Sequence, residues 1–390
     1  MHPNNPRPAY KRILSVFGTR PEAIKMAPVV QELSRHPGFD ARVCVTAQHR
    51  QMMDQVLDIF EIRPDFDLDL MRANQTLGGL TSRVIEAMGG VLDEWKPDIV
   101  LVQGDTTTVM AATLAAFYAG VAVGHVEAGL RTGDLYAPWP EEMNRRVTAV
   151  MARHHFAPTQ RARQALLAEG YSPESIVVTG NTVIDALLQV AERVRTAPLA
   201  TTMAERFAFL NPGKRLILVT GHRRESFDGG IEEMCEALKQ LAERDDVEIA
   251  YPVHLNPNVK DPVNRVLGSC ANVHLIAPQD YLSFVWLMDR AHLIVTDSGG
   301  VQEEAPSLGK PVLVTRTTTE RPEAVDAGTV RLVGTDKEAI VRSATELLDN
   351  PAVFEASRRS HNPYGDGMAA RRIVALLAGE PFDAFDPAAE

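Results

Sequence analysis

The chain of 390 residues carries a formal net charge of −11 at pH 7, with 45% hydrophobic and 23% charged residues. This is the composition of an ordinary globular protein, and it excludes a disordered or fibrous chain as the main organisation. The acidic balance also argues against general nucleic-acid binding, which needs a basic face. Because a single hydrophobic core stops growing at about 250–300 residues, the length predicts two domains.

The three cysteines, Cys44, Cys235 and Cys270, form no close pair, so neither a zinc site nor a disulfide framework is predicted. The amino terminus reads MHPNNPRPAYKR and lacks the apolar segment of a secretory signal. No window reaches the roughly 18 apolar residues that a membrane span needs. We therefore expect a cytoplasmic protein without a metal, a nucleic-acid partner or a membrane anchor.

Short apolar runs alternate with helical patterns along the first half of the chain, which is typical of βαβ units in a parallel sheet. The predicted strands of this half are residues 13–17, 43–45, 98–102, 121–123 and 176–178. Pro28 interrupts the first helical pattern and predicts a kink or a late helix start there. The last helix of this half is expected to run on to about Arg195.

A second series of the same kind follows residues 196–213, which contain Pro198, Pro212 and Gly213 and have the composition of a connector. Its predicted strands are residues 216–219, 248–250, 273–276, 293–295 and 312–314. A final helix is predicted over residues 368–377. The sequence therefore predicts an α/β protein with two Rossmann-like, doubly wound parallel-sheet domains, 1–195 and 196–367, that face a central cleft.

Polar residues at the carboxyl ends of the predicted strands are the candidates for chemistry, because open α/β sheets bind ligands there. Arg20 follows the first strand, and Lys25 lies about one helical turn further on. A helix N-terminus with two added cations favours a phosphate-binding site. A capped helix with two surface cations explains the same residues equally well.

Three carboxylates follow later strands of the first series. Asp105 comes after residues 98–102, and it could equally cap the next helix. Glu127 ends the next strand directly before a glycine-containing loop, where packing gives no reason for a charge, so a functional role is favoured. Glu141 and its neighbour Glu142 follow a proline-rich loop and could also complement a helix dipole.

Two segments of the second series are suited to an anionic ligand. His222-Arg223-Arg224 ends the first strand and suits a polyanion, with a solvated turn as the alternative. In Ser298-Gly299-Gly300, glycines let backbone N–H groups approach a pyrophosphate, and Glu304 has the reach for two ribose hydroxyls. The order of glycines differs from G-x-G-x-x-G, which argues against NAD. His254 could equally be a core histidine, and the pair His154-His155 fits a structural role.

An ordered set of motifs carries a family resemblance over residues 17–367. The motifs are FGTRPEAIKMAP, VTAQHR, GDTTT, GHVEAGLRTG, PWPEE-NR, TGNTVIDAL, VTGHRRESF, YPVHLNPNV, TDSGGVQEEAPSLGKPVLV, TTERPEA and NPYGDG. Together they resemble the non-hydrolysing UDP-N-acetylglucosamine 2-epimerases. The resemblance implies a GT-B fold, no cofactor, a homodimer, a terminal helix at residues 368–380 packed back on the first domain, and a role in cell-surface polysaccharide synthesis.

The same resemblance implies a role for each candidate residue. The catalytic group would be Asp105, Glu127, Glu141 and His222. The substrate-binding group would be Arg20 and Lys25, with His222, on the diphosphate, Ser298, Gly299 and Gly300 as its cradle, Glu304 on the ribose, Gln279 and Phe284 around the uracil, and Arg321 facing the sugar and phosphate. A second, activating substrate molecule would bind Gln48, Gln51, Arg224 and His254, although Asn74 stands where some relatives have an arginine of that site.

The chemistry implied is an inversion at carbon 2 of UDP-N-acetylglucosamine that gives UDP-N-acetylmannosamine. Elimination of UDP would give 2-acetamidoglucal, and UDP would then add back while a proton arrives on the opposite face. Acid and base groups are needed on both faces, and three carboxylates can supply them. The alternatives are a GT-B glycosyltransferase, a hydrolysing epimerase, and a nucleotide-sugar-binding regulator without catalysis.

Overall fold

The computed structural model describes residues 10–46, 50–70, 72, 75–221, 229–359 and 362–387. Within these ranges, no helix is long and apolar enough to cross a membrane. The chain divides into two compact units. We call Met1–Ala186 together with Gly365–Ala389 the first domain, and Leu187–Tyr364 the second domain.

The first domain is built on a parallel sheet whose strands are mostly buried on both faces. Its strands are β1 (Arg12–Phe17), β2 (Asp40–Val45), β3 (Phe66–Asp67), β4 (Ile99–Gln103), β5 (Ala122–Val126), β6 (His154–Ala157) and β7 (Ile176–Val178). They lie in the order β3-β2-β1-β4-β5-β6-β7, and every neighbouring pair is parallel. The chain leaves β1 and β4 in opposite directions, so their carboxyl ends form a switch point, where α/β sheets open a crevice.

Helices connect successive strands of this sheet, as a parallel arrangement requires. They are α1 (Arg20–Arg35), α2 (Arg50–Ile59), α3 (Leu77–Trp95), α4 (Thr107–Tyr118), α5 (Glu141–Met151), α6 (Gln160–Ala168), the start of α7 (Thr182–Arg195) and the terminal helix α16 (Ala369–Ala378). Helices α3 and α4 pack on the sheet through Val84, Met88 and Ala112, which are fully buried in one apolar cluster. Thr76 and Thr106 fix the starts of these two helices, because each side-chain oxygen accepts a backbone N–H of the first turn.

The second domain repeats this plan with its own sheet. Its strands are β8 (Arg215–Thr220), β9 (Val247–Pro252), β10 (Val273–Ile276), β11 (Leu293–Thr296), β12 (Val312–Val314) and β13 (Val330–Leu332), in the order β10-β9-β8-β11-β12-β13. Its helices are α8 (Leu199–Arg206), α9 (Gly230–Leu241), α10 (Pro257–Leu267), α11 (Tyr281–Arg290), α12 (Gly299–Glu304), α13 (Pro322–Asp326), α14 (Lys337–Asp349) and α15 (Pro351–Arg359). The switch point of this sheet lies between β8 and β11.

The structure differs from two local expectations from the sequence. Helix α1 begins at Arg20 and continues through Pro28, so the late start is wrong, while the alternative of a kink stays a prediction. The reason is a capping box, in which Thr19 and Glu22 each satisfy a backbone N–H at the helix start. The predicted connector at residues 196–213 contains the helix α8, which forms because Met203 is buried in the second domain.

Candidate functional site

The carboxyl end of β1 meets its neighbours at very close range. A Cβ atom at Gly18 would lie 2.1 Å from Thr46 Oγ1 and 2.8 Å from Thr108 Oγ1, so only glycine fits this position. The two threonine hydroxyls are themselves 3.1 Å apart and hydrogen-bonded. The ends of β1 and β2 and the start of α4 are therefore held together at the switch point of the first domain.

A buried carboxyl group, Glu22, ties the two turns of this switch point together. Its Oε2 accepts the Thr19 and Gly18 N–H groups at 2.8 and 3.3 Å, and its Oε1 accepts the Thr106 hydroxyl at 2.9 Å. Burial raises the pKa of Glu22 to about 7, although these hydrogen bonds act in the opposite direction. Sequence reasoning gave Glu22 no role, because a glutamate three residues after a threonine is also the ordinary pattern of a capping box.

Glu127 lies at the end of β5 with an unusual backbone and a dense set of partners. Its φ of 65° lies in the left-handed region, which is rare for a residue other than glycine. Lys25 Nζ donates to its two carboxylate oxygens at 2.7 and 2.6 Å. Gln103 Nε2 also donates to it, and Asn181 Nδ2 lies 3.5 Å away. The structure thus brings together Lys25 and Glu127, two of the residues chosen from the sequence.

Asp105 lies just past β4 and is held by helix α5. The Arg145 guanidinium donates to Asp105 Oδ2 from two nitrogens, at 2.9 and 2.7 Å. Asn144 Nδ2 donates to the Asp105 carbonyl at 2.8 Å. His125, on β5, stabilises the same loop, because its Nε2 donates to the Gly104 carbonyl at 2.7 Å. Burial lowers the pKa of His125 to about 4, so its imidazole is neutral.

The adjacent carboxylates Glu141 and Glu142 at the start of α5 have different environments. Glu142 is fully buried and accepts Arg145, Arg146 and the Thr132 N–H at 3.0 to 3.2 Å. Burial alone would raise the pKa of Glu142, but these hydrogen bonds bring it below its usual value. The Oε2 atom of Glu141 is buried without a hydrogen-bond partner among the described residues. Glu142 is therefore a structural anchor, whereas one acceptor oxygen of Glu141 is unused within the described ranges.

The switch point of the second domain has two threonines at its strand ends, with Asp297 directly after the second. Thr220 at the end of β8 and Thr296 at the end of β11 share a hydrogen bond of 2.6 Å between their hydroxyls. Thr296 Oγ1 also accepts the Ser298 N–H at 3.0 Å, which shapes the turn before α12. Gly299 and Gly300 form the first residues of that helix, and a Cβ at Gly300 would have no neighbour closer than 3.7 Å.

Further candidate residues surround this turn. Glu304 ends α12 and is only 8% exposed. Gln279 and Phe284 flank the start of α11, where Gln279 Oε1 accepts Arg206 Nη2 at 3.1 Å. Arg321 forms an ion pair with Glu303, the neighbour of Glu304. The structure therefore places these four candidates in the second domain.

The remaining candidates are only partly described. His222, Arg224, Gln48 and Asn74 lie outside the described residues, and only the backbone of Gln51, in α2, is described. His254 is exposed, and its Nδ1 accepts the Asn256 N–H at 3.1 Å, so the core-histidine alternative was wrong. Arg20 is exposed at the start of α1. Among the described residues, no cluster of histidine, cysteine and acidic side chains could hold a metal ion.

Known proteins share both the sequence and the fold of this chain. A family model described as UDP-N-acetylglucosamine 2-epimerase matches residues 31–378. The chain is 60% identical to the UDP-N-acetylglucosamine 2-epimerase of Escherichia coli K12 over 94% of this chain and 98% of the relative. A crystal structure of UDP-GlcNAc 2-epimerase from Neisseria meningitidis bound to UDP-GlcNAc is 51% identical, with a TM-score of 0.87 over 95% of this chain and all of the other.

A more distant relative extends the likeness. The Methanocaldococcus jannaschii UDP-GlcNAc 2-epimerase in complex with UDP-GlcNAc and UDP is 34% identical, with a TM-score of 0.76 over 94% of this chain and 99% of the other. The two parallel-sheet domains thus define a nucleotide-sugar enzyme of the GT-B class. Within that class, the chain belongs to the UDP-N-acetylglucosamine 2-epimerase family.

Proposed function

We propose that this chain interconverts UDP-N-acetylglucosamine and UDP-N-acetylmannosamine by inverting the carbon-2 stereocentre. The main support is the 60% identity to the Escherichia coli epimerase over nearly the whole chain, together with the match to the family model. Members of this family are isomerases. The set of carboxylates in the first domain supports it, because inversion needs proton transfer on two faces of one carbon. The reaction starts and ends with a nucleotide sugar, which fits the non-hydrolysing kind of epimerase.

We propose an elimination and re-addition of UDP as the mechanism. The carbon-2 proton is only weakly acidic, and it becomes far more acidic when the bond from carbon 1 to UDP breaks. Removal of this proton and of UDP gives 2-acetamidoglucal. UDP then returns to carbon 1, while a proton is delivered to carbon 2 on the other face. Charge grows on the leaving UDP, and cations or helix N–H groups placed there stabilise it by several kcal/mol.

The proton-transfer groups we propose are Asp105, Glu127 and Glu141. Their environments differ: Asp105 is paired with Arg145, Glu127 with Lys25, and Glu141 has a buried oxygen with no partner within the described ranges. Different environments let chemically similar groups take separate acid and base roles. We assign Lys25, Arg20 and His222 to the charge of UDP.

The nucleotide is proposed to bind mainly to the second domain. The turn at Ser298-Gly299-Gly300 forms the start of α12, and the backbone N–H groups of a helix start can bind a diphosphate. Glu304 is proposed to hold the ribose hydroxyls, Gln279 and Phe284 the uracil, and Arg321 the sugar and phosphate. This division leaves the chemistry to the first domain.

Incubation with UDP-N-acetylglucosamine in deuterated water tests the function directly. The proposal expects one deuterium at carbon 2 in UDP-N-acetylmannosamine and in recovered substrate, with the nucleotide sugar intact. A hydrolysing epimerase would release free sugar and UDP instead. A glycosyltransferase or a binding regulator would leave carbon 2 unlabelled, and either result would reject the proposal.

The quaternary structure and location are proposed with the function. We propose a cytoplasmic homodimer without a cofactor. Phe117 and Tyr118 on α4 and Val150 on α5 are large, exposed apolar side chains on two helices that pack together. Such groups on a protein surface are typical of an association site. Light scattering at two concentrations checks the mass, and Tyr118→Glu with Val150→Glu should shift it towards the monomer.

Regulation by substrate is a separate proposal. A second UDP-N-acetylglucosamine molecule would bind near His254 and Gln51, together with Gln48 and Arg224, and activate the enzyme. Asn74 removes one cation from that site, which predicts weak activation. Initial rates of the reverse reaction should rise when a little UDP-N-acetylglucosamine is added. Strictly hyperbolic kinetics without this activation would reject a second site.

A further inference from the structure

A hydrogen bond joins two elements of the second domain that the proposed nucleotide site uses separately. Tyr281 is the first residue of α11, and Glu304 is the last residue of α12. The Tyr281 hydroxyl donates to Glu304 Oε1 at 3.1 Å. The bond therefore links the start of α11 to the carboxylate assigned to the ribose. Gln279 lies just before this helix, and Phe284 lies in its first turn.

The Tyr281 hydroxyl remains a donor at every working pH. Its pKa lies well above the usual value, because burial and then the charge of Glu304 both disfavour its ionised form. A buried carboxylate needs hydrogen-bond donors, since its loss of water is otherwise strongly unfavourable. Tyr281 thus supplies a permanent donor to one oxygen of Glu304.

The second oxygen of Glu304 has a defined place as well. A Cβ at Gly300 would lie 3.7 Å from Glu304 Oε2, so this oxygen lies over the turn that is proposed to cradle the diphosphate. Glu304 Oε1 is therefore hydrogen-bonded to Tyr281, while Oε2 lies on the side of the Gly300 backbone. A carboxylate with this orientation can accept from a ribose only in a limited set of directions.

The base of Tyr281 is itself rigid. Asp280 caps α11, because its Oδ1 accepts the Ser283 N–H at 2.9 Å, and Arg206 holds its other oxygen at 2.8 Å. Hydrogen bonds and the ion pair with Arg206 keep the pKa of Asp280 below its usual value, against the effect of burial. The start of α11 is therefore a stable platform for the tyrosine.

We propose that Tyr281 is a positioning residue that sets the preference of this enzyme for ribose over deoxyribose nucleotides by orienting Glu304. The inference rests on the proposed ribose role of Glu304 and adds the group that aims it. A correctly oriented carboxylate accepts a hydrogen bond from the 2′-hydroxyl of ribose. A deoxyribose nucleotide cannot donate this hydrogen bond and should bind more weakly. The preference should therefore depend on the Tyr281 hydroxyl.

The test compares binding of UDP and 2′-deoxy-UDP by calorimetry in the full-length protein. Wild type should prefer UDP, and Tyr281→Phe should reduce the ratio of the two affinities roughly 3- to 10-fold, as for one lost hydrogen bond. Tyr364→Phe is the matched control, because the Tyr364 hydroxyl lies 3.3 Å from Glu323 in the same domain and makes the same kind of bond. That variant should keep the wild-type ratio.

Two results separate this inference from the function on which it rests. If Glu304→Ala abolishes the preference and Tyr281→Phe keeps it, Glu304 binds ribose without help from Tyr281, and the inference is wrong. If Glu304→Ala keeps the preference, the ribose assignment itself fails. Equal weakening of both nucleotides in Tyr281→Phe would mean that the tyrosine only supports the fold. Tyr281→Leu, a second variant without the hydroxyl, decides the question if the phenylalanine chain does not fold.

Discussion

The two domains place different groups at the same point of the same topology. In the first domain, the carboxyl ends of β1 and β4 carry Glu22 and Asp105, and the neighbouring β5 ends in Glu127. In the second domain, the equivalent ends of β8 and β11 carry Thr220 and Thr296, hydrogen-bonded to each other, and a single carboxylate, Asp297, follows β11 among the described residues. A shared strand order therefore fixes where a site lies, while the residues after the strands decide what it does.

The two domains also differ in their buried acidic groups, although Glu142, Glu174 and Asp366 of the first domain have a pKa below the usual value. Burial raises the pKa of both Glu22 and Asp185 in the first domain to about 7. In the described part of the second domain, the shifted carboxyls are Asp280 and Asp349, and hydrogen bonds bring both below their usual pKa. Both Glu22 and Asp185 accept backbone N–H groups at a helix start, so these buried carboxyls stabilise the fold of the first domain.

The largest expected effect tests the chemical role of the first domain. Asp105→Asn, Glu127→Gln and Glu141→Gln should each lower turnover by roughly 10²–10⁴-fold, the usual range for lost acid–base catalysis. Steady-state rates of epimerisation give the turnover, and calorimetry gives the affinity for UDP. The affinity should change little, because the nucleotide is assigned to the second domain.

Glu142→Gln is the control for this series, since Glu142 is buried against Arg145 and Arg146 and has no assigned chemistry. It should lower stability more than the turnover of the folded fraction. A Glu127→Gln enzyme that turned over normally, and still exchanged the carbon-2 proton with deuterated water, would mean that Glu127 is structural. The proposed catalytic role of Glu127 in the first domain would then be rejected.

The next effect concerns the pH dependence of stability. The folded pKa of Glu22 is about 7, against an ordinary value near 4.5, so the folded chain holds a proton that the unfolded chain releases. The contribution of Glu22 to stability is then greatest below pH 4.5 and is lost as the pH rises to 7, by on the order of 3 kcal/mol. Glu22→Gln should remove this loss, so the variant gains on wild type as the pH rises.

Urea unfolding between pH 4 and pH 8, with hydrogen exchange read in α1, measures this gain. Glu142→Gln is the opposite control, because the pKa of Glu142 is lowered and its contribution is present at neutral pH. That variant should lose stability relative to wild type at neutral pH. Parallel pH curves for wild type and Glu22→Gln would contradict the raised pKa.

Most of the architecture could be predicted from sequence because strands buried on both faces are nearly continuous apolar runs. The runs at 13–17 and 293–295 lie in strands β1 and β11. Two strands of the first sheet were not predicted, because β3 has only two residues and β6 begins with the polar pair His154-His155. Helix α8 escaped because the prolines around it resemble those of a linker.

The sequence could single out candidate residues of the site, but it could not predict which side chains would pair with them. Strand ends singled out Asp105 and Glu127, since a charge directly after a buried run needs a reason. Their partners Arg145 and Gln103 could not be chosen, because pairing over 40 and 24 positions is set by the packing of α5 and β4. Glu22 was hidden by its capping-box pattern, and Tyr281 by its place in an ordinary amphipathic helix.

A smaller effect tests the ligand-binding role of the second domain. Glu304→Ala should weaken UDP binding by about 1–3 kcal/mol, as for a lost hydrogen bond to a charged group. Calorimetric titration with UDP measures this change. Glu127→Gln, in the first domain, should leave the affinity near the wild-type value. Unchanged affinity in Glu304→Ala would reject the ribose assignment and with it the proposed division between the domains.

The smallest effect concerns the composition of the first domain, which includes a second, separate segment of the chain, residues 365–389. Helix α16 belongs to it, and Asp185 accepts the Ala369 and Ala370 N–H groups at 3.2 and 2.8 Å. Asp185→Ala removes these acceptors and should destabilise α16 by about 1 kcal/mol, the usual cost of a lost N-cap. Hydrogen exchange in residues 369–378 should accelerate roughly fivefold.

Asp336 offers the matched change in the second domain, where it caps α14 by accepting the Ala339 N–H at 2.8 Å. Asp336→Ala should accelerate exchange in α14 and leave α16 unchanged, whereas Asp185→Ala should do the reverse. This pattern would follow because each cap acts only on the first turn of its own helix. If Asp185→Ala left α16 unchanged, the packing of its apolar face against α1 would hold the helix without the cap. The raised pKa of Asp185 would be unaffected by that result, because burial raises it while the two hydrogen bonds lower it.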